Sequence, residues 1–400
     1  MNILFYHGDE TCPTMGGIQR TTAVVACGLA REYGHHCYNI YDYEEPYPVD
    51  VPRYKYIDSR RLKSGFSADE LAPLLKEWKI DVVVNQAGQW NNHIFKEAIQ
   101  KAGRECKLLY FHHNTPRRLV DTTIRRSLRL VTSPESSSDI LRGILRIVSH
   151  PIYKYYSDKR VNSDKAESFR RVYEDADRFV LLSPNYYQEW SEISGITDFS
   201  RLRAIPNALS FHIRADEEMI QRKEKRVLIV ARMIEFHKRI LLGLKIWREI
   251  MLDSAYSDWQ LDIVGAGQDL DVYKAYVRRH KVPNVKFYGR SESLPFYEKA
   301  SIFLMLSAFE GWPMTLNEAH QLGVVPVAFD SFGAARDIII DGENGFLVRP
   351  FDKEEYMARV KLLMRDDNLR RSMAHKGVES SDRFTLDKVL AKWEFLLSEK

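Results

Sequence analysis

The stretch SIFLMLSAFEGWPMTLNEAHQLGVVPVAF, residues 301–329, decides how the chain folds. Two short apolar runs, Ile302–Leu306 and Val325–Ala328, flank a segment with helical spacing. Strands joined by a helix-length connection pair in parallel, which makes this a βαβ unit. Between the first strand and the helix stands Glu310, followed by Gly311 and Pro313, and Glu318 comes eight positions after Glu310. In one continuous helix, about 100° per residue would leave the two acids ~80° apart and ~12 Å apart along the axis. Gly and Pro exclude that arrangement, and Pro favours the first helical turn. Glu310 therefore belongs to the loop leading into the helix and Glu318 to the helix, so both can point into one pocket. The plain alternative is an exposed helix residue plus a charge favoured by the helix dipole. Ligands of open α/β sheets bind outside the carboxyl ends of strands, where this pair stands.

The same pattern extends along the chain. Further strand candidates are Ile3–Tyr6, Val82–Val84, Leu108–Phe111, Phe179–Leu182, Val227–Val230, Leu261–Val264 and Val285–Tyr288. Between them lie helical patterns such as GIQRTTAVVACGLAREYG, ADELAPLLKEWK, RILLGLKIWREIM and DKEEYMARVKLLMR. Repeated βαβ units predict doubly wound α/β architecture with parallel sheets. After LRAIPNAL comes the polar stretch SFHIRADEEMIQRKEKR, and then a new strand, VLIVA. This break divides the chain into a Rossmann-like domain over 1–207 and a second over 208–380, facing each other across a cleft. The terminal stretch, 381–400, is expected to form a helix that packs back toward the first domain.

Composition bounds the class. Four hundred residues exceed what one hydrophobic core usually supports. A hydrophobic content of 44% with 28% charged residues is that of a globular protein, and a net charge of +4 gives no argument for nucleic acid. The opening MNILFYHGDETCP reads as a first strand rather than a signal peptide, and no apolar run approaches the roughly 18 residues of a membrane span. The four cysteines form no C-x-x-C pair and share no zinc-like spacing with histidines, which fits reduced thiols in the cytoplasm.

Four constellations sit where they can face the cleft. GDETCPTMGGIQR follows the first strand, and Gly16-Gly17 opens a helix whose free N–H groups suit an anion. VARMIEFHKR follows the first strand of the second domain, and its Arg232 and Lys238 suit a diphosphate as fork and point charge. In LLYFHHNTPRR, His112 and His113 end a strand, so their side chains point opposite ways and at most one faces the cleft. The helix starting near Pro313 presents the N–H groups of Met314, Thr315 and Leu316 to a phosphate, between two carboxylates that suit sugar hydroxyls. Solvated surface charge and ordinary turns are the competing readings. A dinucleotide oxidoreductase is a competing class: IVGAGQDL supplies Gly265 and Gly267 after a strand but lacks the third glycine of the fingerprint. A non-catalytic binder of sugar nucleotides is another.

With these residues the chain resembles the retaining, nucleotide-sugar-dependent glycosyltransferases of group 1 (family 4), which have the GT-B fold. EGWPMTLNEA matches the E-x7-E motif of that family and FGAARDIIIDGENGFLV the segment after it; DADRFVLLSP, IPNAL, LDIVGAG and VKFYGR are further phrases typical of it. The resemblance implies an acceptor-binding first domain and a donor-binding second one. It implies that Glu318 binds the ribose hydroxyls and Glu310 the donor sugar, with Gly311 to Leu316 holding sugar and diphosphate. Arg232 and Lys238 would neutralise the departing diphosphate, Gly16-Gly17 would close on it, and His113 would lie by the anomeric carbon. The family's usual Gly before the phosphate-binding Arg is Ala231 here. It further implies transfer of a hexose or N-acetylhexosamine, with UDP as the default base, to a glycan or lipid-linked acceptor in polysaccharide biosynthesis. The nucleotide sugar is then a substrate and no cofactor is expected. Preorganised cations and a helix end stabilise the leaving diphosphate, so no metal is required. The strings Asp175-Ala176-Asp177 and Asp269-Leu270-Asp271 are read as solvated helix charge.

Residues 117–171 hold thirteen Lys/Arg against six Asp/Glu, a net of +7. Ile140, Ile144, Ile147 and Val148 follow helical spacing, with Arg142 and Arg146 on another face and Tyr153, Tyr155 and Tyr156 beyond. Such a helix can lie on an anionic bilayer, giving a peripheral place on the inner face of the membrane, or pack on the first domain.

Overall fold

The computed structural model describes residues 1–8, 17–42, 57–88, 91–116 and 150–399, with the side chains of the last stretch described from Ser163 onward. Gly16 and residues 117–149, including Arg142 and Arg146, lie outside the described residues, as do the side chains of Tyr153, Tyr155 and Tyr156.

The first sheet contains β1 (Asn2–Tyr6), β2 (His36–Tyr41), β3 (Ile57–Arg61), β4 (Val82–Asn85), β5 (Lys107–His112), β6 (Arg178–Leu181) and β7 (Leu202–Ala204). The second contains β8 (Arg226–Val230), β9 (Gln260–Val264), β10 (Val285–Gly289), β11 (Ile302–Met305), β12 (Val325–Phe329) and β13 (Phe346–Val348). Their orders are β3-β2-β1-β4-β5-β6-β7 and β10-β9-β8-β11-β12-β13. Every strand pair is parallel. In each sheet the chain moves outward over three strands and returns beside the first, so the switch points lie between β1 and β4 and between β8 and β11. Such a crevice is where doubly wound sheets bind ligands.

All nine strands expected from apolar runs are present. Four others escaped the apolar criterion for physical reasons. β7 and β13 have three residues each, β3 (IDSRR) is a largely polar edge, and β2 buries the polar Asn39, whose amide bonds the Phe5 carbonyl.

Strand residues alternate between cores, as parallel sheets covered on both faces require. Leu4 and Tyr6 join one cluster with Leu228, Phe303, Met305, Trp312 and Leu316, so this core bridges the two domains. Ile3 and Phe5 face a second cluster that is completed by Val389, Leu390, Trp393, Leu396 and Leu397. Those five belong to the helix Leu386–Ser398, which packs on the first domain although it follows the second in the chain. Trp393 stacks on Phe111 at 4.4 Å and 5°, and Leu390 lies where any side chain at Gly28 would collide with it. Trp393→Ala is expected to cost about 3–5 kcal/mol, as for other buried Trp truncations, read as a fall in the urea unfolding midpoint of the first domain. An unchanged midpoint would mean that the terminal helix is not integral to that domain.

The basic stretch ends in the helix His150–Asp175. Its Phe169, Val172 and Tyr173 are buried in the bridging core, which commits this end of the helix to packing on the first domain. Among the described residues no helix is long and apolar enough to cross a membrane.

Candidate active site

The residues singled out by spacing collect at the carboxyl ends of β1, β5, β8 and β11. Behind β8, the loop 231–234 is held against the segment after β9 by backbone proximity. A Cβ at Gly265 would lie 1.9 Å from the Ala231 carbonyl oxygen, and one at Gly267 2.7 Å from that of Met233. Both glycines also have positive φ. They are there to let two chain segments touch, which explains them without a dinucleotide. Asp269 accepts the N–H of Glu235 at 2.7 Å and so fixes the start of the short helix Glu235–Lys238.

That helix delivers Lys238 and His237 to one acid. The Lys238 ammonium pairs with the Glu310 carboxylate, and His237 Nε2 lies 3.4 Å from the same oxygen. His237 also donates from Nε2 to the Phe309 carbonyl at 2.7 Å and stacks on the Phe309 ring at 4.4 Å. The Ala308 N–H returns to the His237 carbonyl, so the Glu310 loop and this helix form one rigid piece. Burial alone would raise the Glu310 carboxyl; Lys238 and His237 outweigh it and hold its pKa at about 2. Arg232 lies on the same loop but is exposed, with no side-chain partner among the described residues.

The first domain reaches this loop directly. Tyr186, fully buried, donates to the Glu310 carbonyl at 2.7 Å. The backbone at His113 presses on Gly311 so closely that a Cβ there would stand 1.9 Å from the His113 carbonyl oxygen. The His113 ring is neutral: burial, then the neighbouring His112 and His7, push its pKa down to about 3. His112 turns the other way, edge-on to Phe169 in the first-domain core. His7, just past β1, is likewise kept neutral by burial, with a pKa of about 4.

The helix after Pro313 runs Met314–Gln321. Two of the three expected free N–H groups are taken: Met314 bonds the Trp312 carbonyl and Leu316 that of Pro313. Thr315 is the one left without a backbone acceptor among the described residues. Glu318 is buried on this helix, 3.1 Å from Arg20 of the first domain, with the enclosed Tyr297 phenol beside it. Next to it, Asn317 is buried with both amide atoms unpartnered among the described residues. Gly17 opens the helix Gly17–Tyr33, and a Cβ there would meet nothing within 4 Å.

The D-x-D strings correct one expectation. Asp177 lies beyond the helix and accepts the Leu108 N–H at 2.7 Å, and Asp269 precedes its helix and serves the Glu235 N–H. Asp175 pairs with Lys96 at 2.8 Å, and Asp271 alone is an exposed helix charge.

Sequence reasoning passed over His237, Arg20, Tyr186 and His7. His237 had a signal, its place beside Lys238, and Arg20 had its place in the first turn after Gly17. Tyr186 had none, since its bond spans 124 residues.

Residues 213–379 match the family model of glycosyl transferases group 1. An uncharacterized glycosyltransferase of Haemophilus influenzae is 25% identical over 254 residues, 62% of this chain and 70% of that one. The amylovoran biosynthesis glycosyltransferase AmsD of Erwinia amylovora is 24% identical over 229 residues, 56% of this chain and 62% of that one. Among solved structures, Anabaena Alr3699/HepE in complex with UDP and glucose superposes over 100% of this chain and 99% of that one, with a TM-score of 0.68 at 15% identity. Two facing Rossmann-like domains with parallel sheets define the GT-B fold. The match to the group 1 glycosyl transferases lies in the second domain of this chain.

Proposed function

We propose that this chain is a retaining glycosyltransferase that moves a hexose or N-acetylhexosamine from a UDP-sugar to a hydroxyl of a glycan or lipid-linked glycan, without a metal. The observation carrying this reading is Glu310, a buried carboxylate kept ionised by Lys238 and His237 at the β8–β11 switch point. An ionised carboxylate accepts hydrogen bonds from sugar hydroxyls, while Lys238, Arg232 and the Thr315 N–H supply positive charge for a departing diphosphate. Glu318 takes the ribose hydroxyls. The UDP and glucose bound by the similar Anabaena protein support UDP as the base.

In this mechanism the acceptor oxygen attacks the anomeric carbon on the face from which UDP leaves. The anomeric C–O bond to the β-phosphate breaks, and the acceptor proton passes to the freed phosphate oxygen. His113, neutral and set against Gly311, lines the sugar side of the cleft. A lipid-linked acceptor suits the basic stretch 117–171, whose docking on an anionic bilayer is part of the proposal.

The test is titration with UDP-, GDP- and ADP-sugars, followed by turnover in EDTA. UDP-sugars are expected to bind, and activity is expected to survive chelation. Glu318→Ala should weaken donor binding about 10- to 100-fold, as expected for the roughly 1.5–3 kcal/mol of a charged hydrogen bond. Preference for another base, or silencing by EDTA with rescue by manganese, would overturn the corresponding part.

A further inference from the structure

Glu318 is buried in the second domain, with its side chain only 4% exposed, yet its ion-pair partner comes from the first. Arg20 stands in the opening turn of the Gly17–Tyr33 helix, and its Nη2 lies 3.1 Å from Glu318 Oε1. The same nitrogen donates to Ser210 Oγ, also at 3.1 Å, on the connection between the domains. One guanidinium nitrogen therefore ties together the first domain, the connection and the donor helix. Its side chain, 38% exposed, closes the pair on the solvent side, while the buried Tyr297 phenol on the inner side donates to the Thr315 carbonyl at 3.3 Å.

A buried carboxylate without a counter-charge is costly. Opening the cleft would leave Glu318 in that state, so the pair holds the domains closed. It also leaves the acid usable, because a carboxylate has about four lone-pair sites and Arg20 takes one.

We infer that Arg20 is a cross-domain positioning residue: acting through Glu318, it orients that carboxylate for the nucleotide ribose and keeps the cleft closed around the donor. This rests on the donor-site reading above. Arg20 does not contact the reacting atoms in this assignment, so its loss should act on donor recognition.

The experiment compares Arg20→Met, which keeps the apolar stem without the charge, with Arg20→Lys. Each is made in the wild-type and Glu318→Gln backgrounds and assayed for UDP-sugar KM, kcat and UDP affinity. Arg20→Met is expected to raise donor KM at least tenfold with less than a threefold change in kcat, and Arg20→Lys to restore part of the loss. In the Glu318→Gln background, Arg20→Met should have little further effect, because its target is gone. A merely structural role would lower the melting temperature and act the same in both backgrounds. Equal KM and UDP affinity for Arg20→Met and wild type, or strictly additive losses with Glu318→Gln, would overturn the assignment while leaving the donor site standing. A wild type that binds none of the UDP-, GDP- and ADP-sugars would overturn the donor-site reading and this one with it.

Discussion

Glu310→Ala is expected to lower kcat/KM about 100-fold, the scale of the roughly 1.5–3 kcal/mol carried by lost hydrogen bonds to a charged group. The loss has two origins that can be separated. The donor sugar loses an acceptor, and Lys238, with its side chain only 16% exposed, loses its counter-charge. Leaving one partner of a buried pair alone costs about 3–5 kcal/mol, so the second domain should also melt earlier. Glu310→Gln keeps hydrogen-bonding capacity without the charge and should recover binding better than turnover. The pH dependence carries its own sign. The Glu310 carboxyl falls from an ordinary 4.5 to about 2 on folding, so its stabilisation is complete above 4.5 and disappears as pH drops toward about 2. Wild type should therefore lose its stability advantage over Glu310→Ala across that window, measured by unfolding at a series of acid pH values. Two proteins with parallel acid profiles and similar kcat would remove Glu310 from the site.

Gly311→Ala should be comparably severe for a different reason. Its new methyl carbon would stand 1.9 Å from the His113 carbonyl oxygen and 2.7 Å from the carbonyl carbon. Both atoms are backbone, so no rotamer change relieves the contact, and the domains must separate by about 1 Å or more. A displacement of about 1 Å between reacting groups can cost around 100-fold in rate. UDP affinity should change much less, because Glu318 and the helix Met314–Gln321 lie within the second domain. A large kcat loss with a much smaller loss of UDP binding is thus the expected signature. Wild-type turnover in Gly311→Ala would show that the domains do not meet at this point during catalysis.

The doubly wound architecture was legible in the sequence because its signals are local. Apolar strands covered on both faces read as continuous runs, and the connections between them keep helical spacing. The E-x7-E spacing also reads locally, since Gly311 and Pro313 break the chain between the acids and assign one to the loop and one to the helix. The edge and three-residue strands lacked that signal, because an edge such as β3 has little apolar surface to bury.

The placing of acids and cations at strand ends was legible, and their pairing was not. From sequence, Lys238 was a phosphate ligand and Met314, Thr315 and Leu316 were equivalent donors. In the folded chain Lys238 also pairs with Glu310, 72 residues away in sequence, and turn bonds consume two of the three N–H groups. Arg20 and Glu318 are 298 residues apart and meet only because two separately folded sheets close on each other. The sequence by itself determined two parallel α/β domains and the acids and cations at their strand ends. Which cation answers which acid, where each histidine ring packs and where the last helix rests were decided by tertiary structure. Those contacts arise from burying charge and apolar surface between distant segments, which no local spacing encodes.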